Sequence, residues 1–282
     1  MTTTLRPTEP LQRAADGTRS RHYQVCVNSR PVGTLHLDTS PSLGPSVARI
    51  QDLTVDEPDR RRGRGTVAAL AAEEVARGWG CRVIEVTVPA DAVPALRLVE
   101  ALGYQPRNRG MSKRLAATPP ALPDGSLARP MTAAEFARWH ADHGERYARD
   151  WMARGVPEDA ARAKARHDHE VLLPKGLDTE NMRFSVVEHE GVVVGVLWLC
   201  LAREGDGEGD DGQAFVYYVE SDAAHRGRGH GRTLMLLAER QAAAAGRTSL
   251  GLNVFAGNTA AERLYTSLGY LTTLYGLQKP LL

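Results

Sequence analysis

The residues best suited to chemistry by type and spacing lie in Arg226-Gly227-Arg228-Gly229-His230-Gly231, followed at once by the apolar run Arg232-Thr233-Leu234-Met235-Leu236-Leu237-Ala238. The stretch before them, Ala214-Phe215-Val216-Tyr217-Tyr218-Val219, is β-branched and aromatic, so the order reads strand, glycine-rich turn, helix. Three glycines let the backbone come close to a ligand. The free N–H groups of the first helical turn, backed by the positive end of the helix dipole, then suit an anion and above all a phosphate. A tight, solvated connection has the same composition, so the turn alone does not settle its purpose.

The spacing Arg226-x-x-Gly229-x-Gly231 resembles the signature of the GNAT superfamily of acyl-CoA-dependent N-acyltransferases. Downstream, Leu252-Asn253-Val254, Asn258, Ala261, Leu264-Tyr265 and Leu268-Gly269-Tyr270 resemble that family's next strand and helix, so the likeness covers residues 214 to 281. The resemblance implies an acyl-CoA co-substrate, most simply acetyl-CoA, with its pyrophosphate on Arg226, Gly227, Arg228, Gly229, His230, Gly231 and Arg232. It implies carbonyl polarisation by backbone near Val219 and Ser221, pantetheine contacts from Asn253 and Asn258, and a reach to the 3′-phosphate from Arg263. Plainer readings stand beside these: Asn258 is also a natural helix N-cap, and Arg263 an exposed helical arginine.

N-acyl transfer from a thioester needs an uncharged amine, a polarised carbonyl and a proton for the departing thiolate. A free alkylamine has a pKa near ~10.4 and must lose a proton before it attacks. By resemblance, Glu220 at the end of the strand before the loop takes that proton directly or through water, with Tyr217 or Tyr218 as the alternative holder of an ordered water. A solvent-facing carboxylate at a strand end is the competing reading. Tyr265 would protonate or hydrogen-bond the leaving sulfur; otherwise it packs the helix against the sheet.

These residues need elements to hold them, and an internal repeat defines those elements. Shifting the sequence by 166 places Arg60, Gly63 and Gly65 on Arg226, Gly229 and Gly231, and Leu102-Gly103-Tyr104 on Leu268-Gly269-Tyr270. Of the 56 positions from Arg60 to Leu115, 20 are identical without a gap, which shared composition does not explain. The chain therefore reads as a tandem duplication. Its fold class is α/β with a mixed sheet, as two tandem GNAT folds: residues 1–115, a Pro-rich linker at 116–126, and 127–282.

In the first half, strands are expected at Thr4 to Pro7, Tyr23 to Val27, Val32 to Leu37 and Ala48 to Val55, with Asn28-Ser29-Arg30-Pro31 as a hairpin turn and a helix from Thr66 to Arg77. In the second, Thr132 with Glu135 forms a capping box opening a helix to about Arg154; Pro157 sits in the first turn of another ending near Leu173. A hairpin at Phe184 to Glu188 and Val192 to Leu201 follows. The first half has no room for that helix pair, which in the GNAT family forms one wall of the acceptor site. It also has Val99, Ala92 and Thr87 where the second has Tyr265, Asn258 and Asn253. We therefore expect residues 1–115 to be non-catalytic, with Arg60, Arg62, Gly63, Arg64 and Gly65 as a possible second cofactor site.

Composition excludes several classes. With 35 Lys+Arg against 34 Asp+Glu the net charge is +1, giving no global pull toward nucleic acid or an anionic membrane. No apolar run approaches the ~20 residues of a bilayer span and the N-terminus lacks a signal-peptide core, so a cytoplasmic location is expected. Cys26, Cys81 and Cys200 lie far apart and read as reduced packing residues. No metal is expected: His140 and His143 share a helix face without a third ligand, and the acidic glycine loop 204–212 lacks a closing Glu for Ca²⁺. The expected activity is acetyl transfer from acetyl-CoA, or another acyl-CoA, to a small-molecule or peptide amine; the rival is a non-catalytic acyl-CoA-binding regulatory or scaffold protein. Neither the acceptor nor the oligomeric state is legible.

Overall fold

Alternating apolar and polar residues in the first half form antiparallel strands whose inward positions build one core. The computed structural model describes residues 2–153, 156, 158–202 and 213–281. Strands β1 (Thr3–Pro7), β2 (Gln12–Arg13), β3 (Arg19–Val27), β4 (Arg30–Thr39) and β5 (Val47–Val55) lead into helix α1 (Arg64–Gly78), β6 (Val83–Pro89), helix α2 (Val93–Ala101) and β7 (Gln105–Arg114). Val27 pairs with Arg30, so the β3–β4 turn has only Asn28 and Ser29 at its tip, with φ of 47° and 68°. This two-residue turn is tighter than the four residues expected and has the left-handed backbone that suits strand twist.

The second half runs β8 (Ser126–Pro130), α3 (Ala133–Met152), α4 (Glu158–Leu172), β9 (Met182–His189), β10 (Val192–Cys200), β11 (Ala214–Ser221), α5 (His230–Ala244), β12 (Ser249–Phe255), α6 (Thr259–Ser267) and β13 (Leu271–Pro280). The capping box at the start of α3 is present: Thr132 Oγ1 accepts from the Glu135 amide at 3.2 Å, and Glu135 accepts from the Thr132 amide at 2.8 Å. Arg154, Pro157 and the loop 204–212 lie outside the described residues.

Two compact units result. Unit 1 comprises Met1–Asn108, Asp159–Lys164 and Leu274–Leu282; unit 2 comprises Arg109–Glu158 and Ala165–Thr273. In unit 1 the strand order is β1-β3-β4-β5-β6-β13, with β2 beside β3; in unit 2 it is β7-β12-β11-β10-β9-β8. Each unit thus takes its final strand from the other repeat. Leu274 to Pro280 pair antiparallel with Pro89 to Val83, closing unit 1 with the end of the chain.

Repeat-related side chains lock this exchange. In unit 1, Lys279 Nζ lies 2.9 and 2.7 Å from the two oxygens of Glu73, which is 1% exposed, and 5.7 Å from the Tyr104 ring centroid. In unit 2 the counterparts repeat this: Lys113 Nζ reaches both oxygens of Glu239 at 2.8 Å and lies 5.7 Å from the Tyr270 ring.

In unit 1, α1 and α2 cover a core of Tyr23, Val25, Leu35, Leu37, Ala72, Ile84, Val99 and Leu277. Unit 2 has a core on each face of its sheet. Leu197, Leu199, Leu234, Met235, Leu250, Leu252 and Tyr265 fill the side of α5 and α6, whereas Trp139, Phe184, Val186 and Trp198 fill the side of α3. The three cysteines are buried free thiols.

Candidate active site

In unit 2, β11 and β12 run parallel and pair through only three residues, Ala214 to Val216 against Leu250 to Leu252. Beyond that point β11 continues to Ser221 and β12 to Phe255 without a further ladder pair, so the strands part. On its other edge β11 stays paired with β10 as far as Ser221 opposite Gly195. A bulge between Trp198 and Leu199 lies opposite Tyr217 and puts Tyr217 and Tyr218 on the same face, against the aromatic cluster of α3. Gly195 permits the pairing at the far end, because a Cβ there would stand 2.7 Å from the Glu220 carbonyl oxygen and 2.7 Å from Leu234 Cδ1.

The loop closes one end of this opening. Gly227 and Gly229 have φ of 78° and 89°, which side-chain-bearing residues rarely adopt. A Cβ on Gly231 would meet Leu264 Cδ2 at 3.1 Å and Ser221 Oγ at 3.7 Å, so glycine lets the start of α5 lie against α6 and β11. The first-turn N–H groups of a 15-residue helix are thus presented beside the parted strands. Arg226, Arg228, Arg232 and Arg263 are exposed, and Arg232 donates to Ser267 Oγ at 2.6 Å. His230 is 5% exposed, its ring 5.2 Å from that of His189 and 6.2 Å from that of His225; burial first, then these neighbours, lower its pKa.

Glu220 is held on three sides. Its Oε2 accepts from Arg146 at 2.6 Å and from the Tyr218 hydroxyl at 2.6 Å, while Oε1 lies 3.5 Å from the Arg226 guanidinium. Burial, and then the hydrogen bond to Glu220, push the Tyr218 hydroxyl well above its ordinary pKa. Arg146 has no distinguishing sequence signal: it is one of several helical arginines and lies 74 positions from its partner. Its Cζ sits 5.8 Å from the Tyr218 ring centroid.

His143, weighed in sequence with His140 for metal binding, instead joins α3 to α4 through a 2.8 Å Nδ1–Nε2 hydrogen bond to His169. Burial and neighbouring cationic groups push His143 down to about 3, and burial pushes His169 down to about 4, so both rings are neutral near pH 7. Tyr147 donates to Asp168 at 2.9 Å a turn further along. Among the described residues no group of three His, Cys, Asp or Glu is placed to hold a metal.

Tyr265, on α6, is 6% exposed and burial pushes its pKa up to about 12. Asn258 caps α6 by accepting from the Ala261 amide at 3.2 Å. Asn253 is exposed on the β12 segment beyond the last ladder pair, while Val219 and Ser221 sit half-buried on β11 opposite Leu197 and Gly195.

Unit 1 repeats the framework with other side chains. Its parallel pair β5–β6 also ends early, at Ile50 opposite Val86, and a Cβ on Gly65 would meet Leu98 Cδ1 at 3.0 Å. Arg60 and Arg62 are exposed, and Arg60 donates to the Val55 carbonyl at 2.8 Å. Arg64, however, is 6% exposed and ion-paired with buried Asp59, which also accepts from both terminal nitrogens of Arg30 at 3.0 and 2.8 Å. It is thereby committed to a protein carboxylate rather than offered to a phosphate. Val99 fills the core at the Tyr265 position.

Parted parallel strands, a glycine loop opening a helix beside the gap, and a helix pair over one face make up the framework of an N-acetyltransferase fold. The chain belongs to the acetyltransferase (GNAT) family, whose model matches residues 2–104 and again residues 138–270. The chain is 30% identical over 222 residues to mycothiol acetyltransferase of Thermobispora bispora, covering 74% of this chain and 68% of that one. It is 27% identical over 265 residues to mycothiol acetyltransferase of Thermomonospora curvata, covering 89% and 79%. It is also 29% identical over 155 residues to the uncharacterized N-acetyltransferase YycN of Bacillus subtilis, covering 54% of this chain and 96% of that protein. Among solved structures, a tandem GNAT protein from the clavulanic acid biosynthesis pathway shares the fold, with a TM-score of 0.54 at 19% identity over 95% of this chain and 85% of that one. The tandem GNAT architecture expected from the repeat is the observed one. No described helix is long and apolar enough to cross a membrane.

Proposed function

We propose that unit 2 transfers an acetyl group from acetyl-CoA to a primary amine by direct attack in a ternary complex. The observation that carries the reading is the parting of β11 from β12 after Val216 and Leu252, with the start of α5 at one end of the gap and Glu220 on the edge facing α3. Backbone groups along parted strands can take the amides of a pantetheine arm, and the Arg226–Gly231 turn with the α5 N-terminus can take a pyrophosphate.

The amine nitrogen attacks the thioester carbonyl carbon, whose oxygen is polarised by backbone N–H at Val219 to Ser221. The C–S bond then breaks, and the thiolate is stabilised by the Tyr265 hydroxyl. The amine's proton goes to Glu220 directly or through one water. Oε1 is the more available oxygen, since its contact is the exposed Arg226 at 3.5 Å while Oε2 is held by two shorter hydrogen bonds. Once Arg226 turns to a phosphate, Oε1 is released. Unit 1 lacks the Glu220, Tyr265 and α3–α4 equivalents, and we assign it a structural rather than catalytic role.

The test is incubation with acetyl-CoA and a panel of amino acids, aminoglycosides, simple alkylamines and lysine peptides, following free thiol. Release that requires one amine class supports the reading; release at the amine-free rate for every class refutes it.

A further inference from the structure

Resting on that reading, we propose that the acceptor is an amino acid, with its carboxylate one or two carbons from the reacting amine, and that Arg146 selects it. Arg146 leaves most of its donors unused. A guanidinium carries five N–H donors. Among the described residues that of Arg146 makes one hydrogen bond, to Glu220, and its Nε is buried with no hydrogen-bond partner. Its Nε is closed to solvent, so what it offers a ligand is the exposed end of the guanidinium, the side chain being 37% exposed, and the planar terminal N–H groups there fit a carboxylate better than any other small group.

The pairing of Glu220 with Arg146 points the same way. Glu220 faces two cations, Arg146 at 2.6 Å and Arg226 at 3.5 Å. When Arg226 is drawn to a phosphate, Glu220 and Arg146 remain as an ion pair, with His143 beside Tyr218 held uncharged by burial and Asp150 as a further carboxylate near Tyr218. A simple cationic amine approaching Glu220 would bring a second positive charge against a half-buried guanidinium. An amino acid brings its own anion, so its amine can address Oε1 of Glu220 while its carboxylate takes the remaining donors of Arg146. The 2.6 Å contact between Arg146 and Glu220 sets the spacing, since groups recognised by two touching side chains must themselves lie close together.

The experiment compares each active α- or β-amino acid with its own carboxamide and with the amine lacking the carboxyl group. It follows thiol release and confirms the acetylated product by mass, in the wild type, Arg146→Gln and Arg146→Lys. For the wild type, kcat/KM for the acid should exceed that for the carboxamide by about 10- to 150-fold, the worth of hydrogen bonds between charged groups. Most of this difference should appear in KM. Arg146→Gln should shrink the gap to about threefold, and Arg146→Lys, which keeps the charge but not the fork, should restore part of it. A wild type that acetylates carboxamides or carboxyl-free amines as well as the acids overturns the proposal and leaves the acetyltransferase reading standing. So does an acid preference that survives in Arg146→Gln. Should that variant fail to fold, the wild-type comparison alone decides. Thiol release at background with every amine overturns both.

Discussion

Tyr265 gives the sharpest test of the proposed chemistry, because its environment limits how much it can contribute. Burial raises its hydroxyl to about 12, whereas an ordinary thiol has a pKa of about 8.5. Complete proton transfer from Tyr265 to the thiolate would run uphill by three to four powers of ten, roughly 5 kcal/mol. The hydroxyl should therefore act as a hydrogen-bond donor to sulfur that is still acquiring charge, worth about 1.5–3 kcal/mol. Tyr265→Phe, which keeps the ring in the α6 core, should lower kcat by about 10- to 150-fold with little change in the KM for acetyl-CoA. The rate should show no limb belonging to Tyr265 between pH 7 and 9. Steady-state thiol release at saturating acetyl-CoA and amine, across that pH range, measures both. An unchanged kcat removes Tyr265 from the mechanism, and a loss beyond ~10⁴-fold would show that it does transfer its proton outright, refuting the argument from its burial.

Two further predictions concern the framework. Lys279→Met strands the Glu73 carboxylate, 1% exposed, with Arg77 no nearer than 3.9 Å, and should destabilise by about 3 kcal/mol in urea unfolding. Adding Glu73→Leu should recover much of that, and a single-variant loss under ~1 kcal/mol would deny the lock its importance. The folded protein keeps His143 and His169 deprotonated down to about 3 and 4, while the unfolded chain protonates them near ~6.5, so it binds more protons in between and stability must fall as pH drops below that value. Unfolding free energies from urea titrations at pH 7.5, 6 and 5 should fall with a slope approaching ~1.4 kcal/mol per pH unit for each histidine, and His143→Leu/His169→Leu should flatten it; an equal slope in the double variant excludes the pair as the cause.

The parts legible in the sequence are those set by local rules. A capping box and a glycine loop before a helix depend on neighbours in the chain, and Thr132 and Gly229 behave accordingly, whereas the hairpin at Asn28 forms where expected but is two residues tighter than expected. The repeat exposed the architecture because its register runs unbroken to Leu115 and Leu281. That same likeness hid the strand exchange: β7 and β13 carry the same lysine, so a strand suited to its own copy suits the other equally. Arg146 and His169 were illegible as site residues for another reason. Their partners lie 74 and 26 positions away, and only the packing of α3 on β11 and α4 brings them together.

The exchange also bears on why two such similar halves have diverged so unevenly. Lys113 must suit Glu239 and Lys279 must suit Glu73, so a change in either copy's lock strands a buried charge belonging to the other. Gly65 and Gly231 face the matching leucines Leu98 and Leu264, and a Cβ at either would intrude on a helix that its own unit requires. No such coupling protects the chemical positions. Thr54 stands where the second copy has Glu220, Val99 where it has Tyr265, and Asp59 with Arg64 where it has His225 and His230. Val99 is buried in the unit 1 core, and Asp59 holds Arg64 and Arg30 in an ion-pair cluster beside the loop. Side chains given over to packing and ion pairs at these positions are what the proposed division into one working and one supporting copy requires.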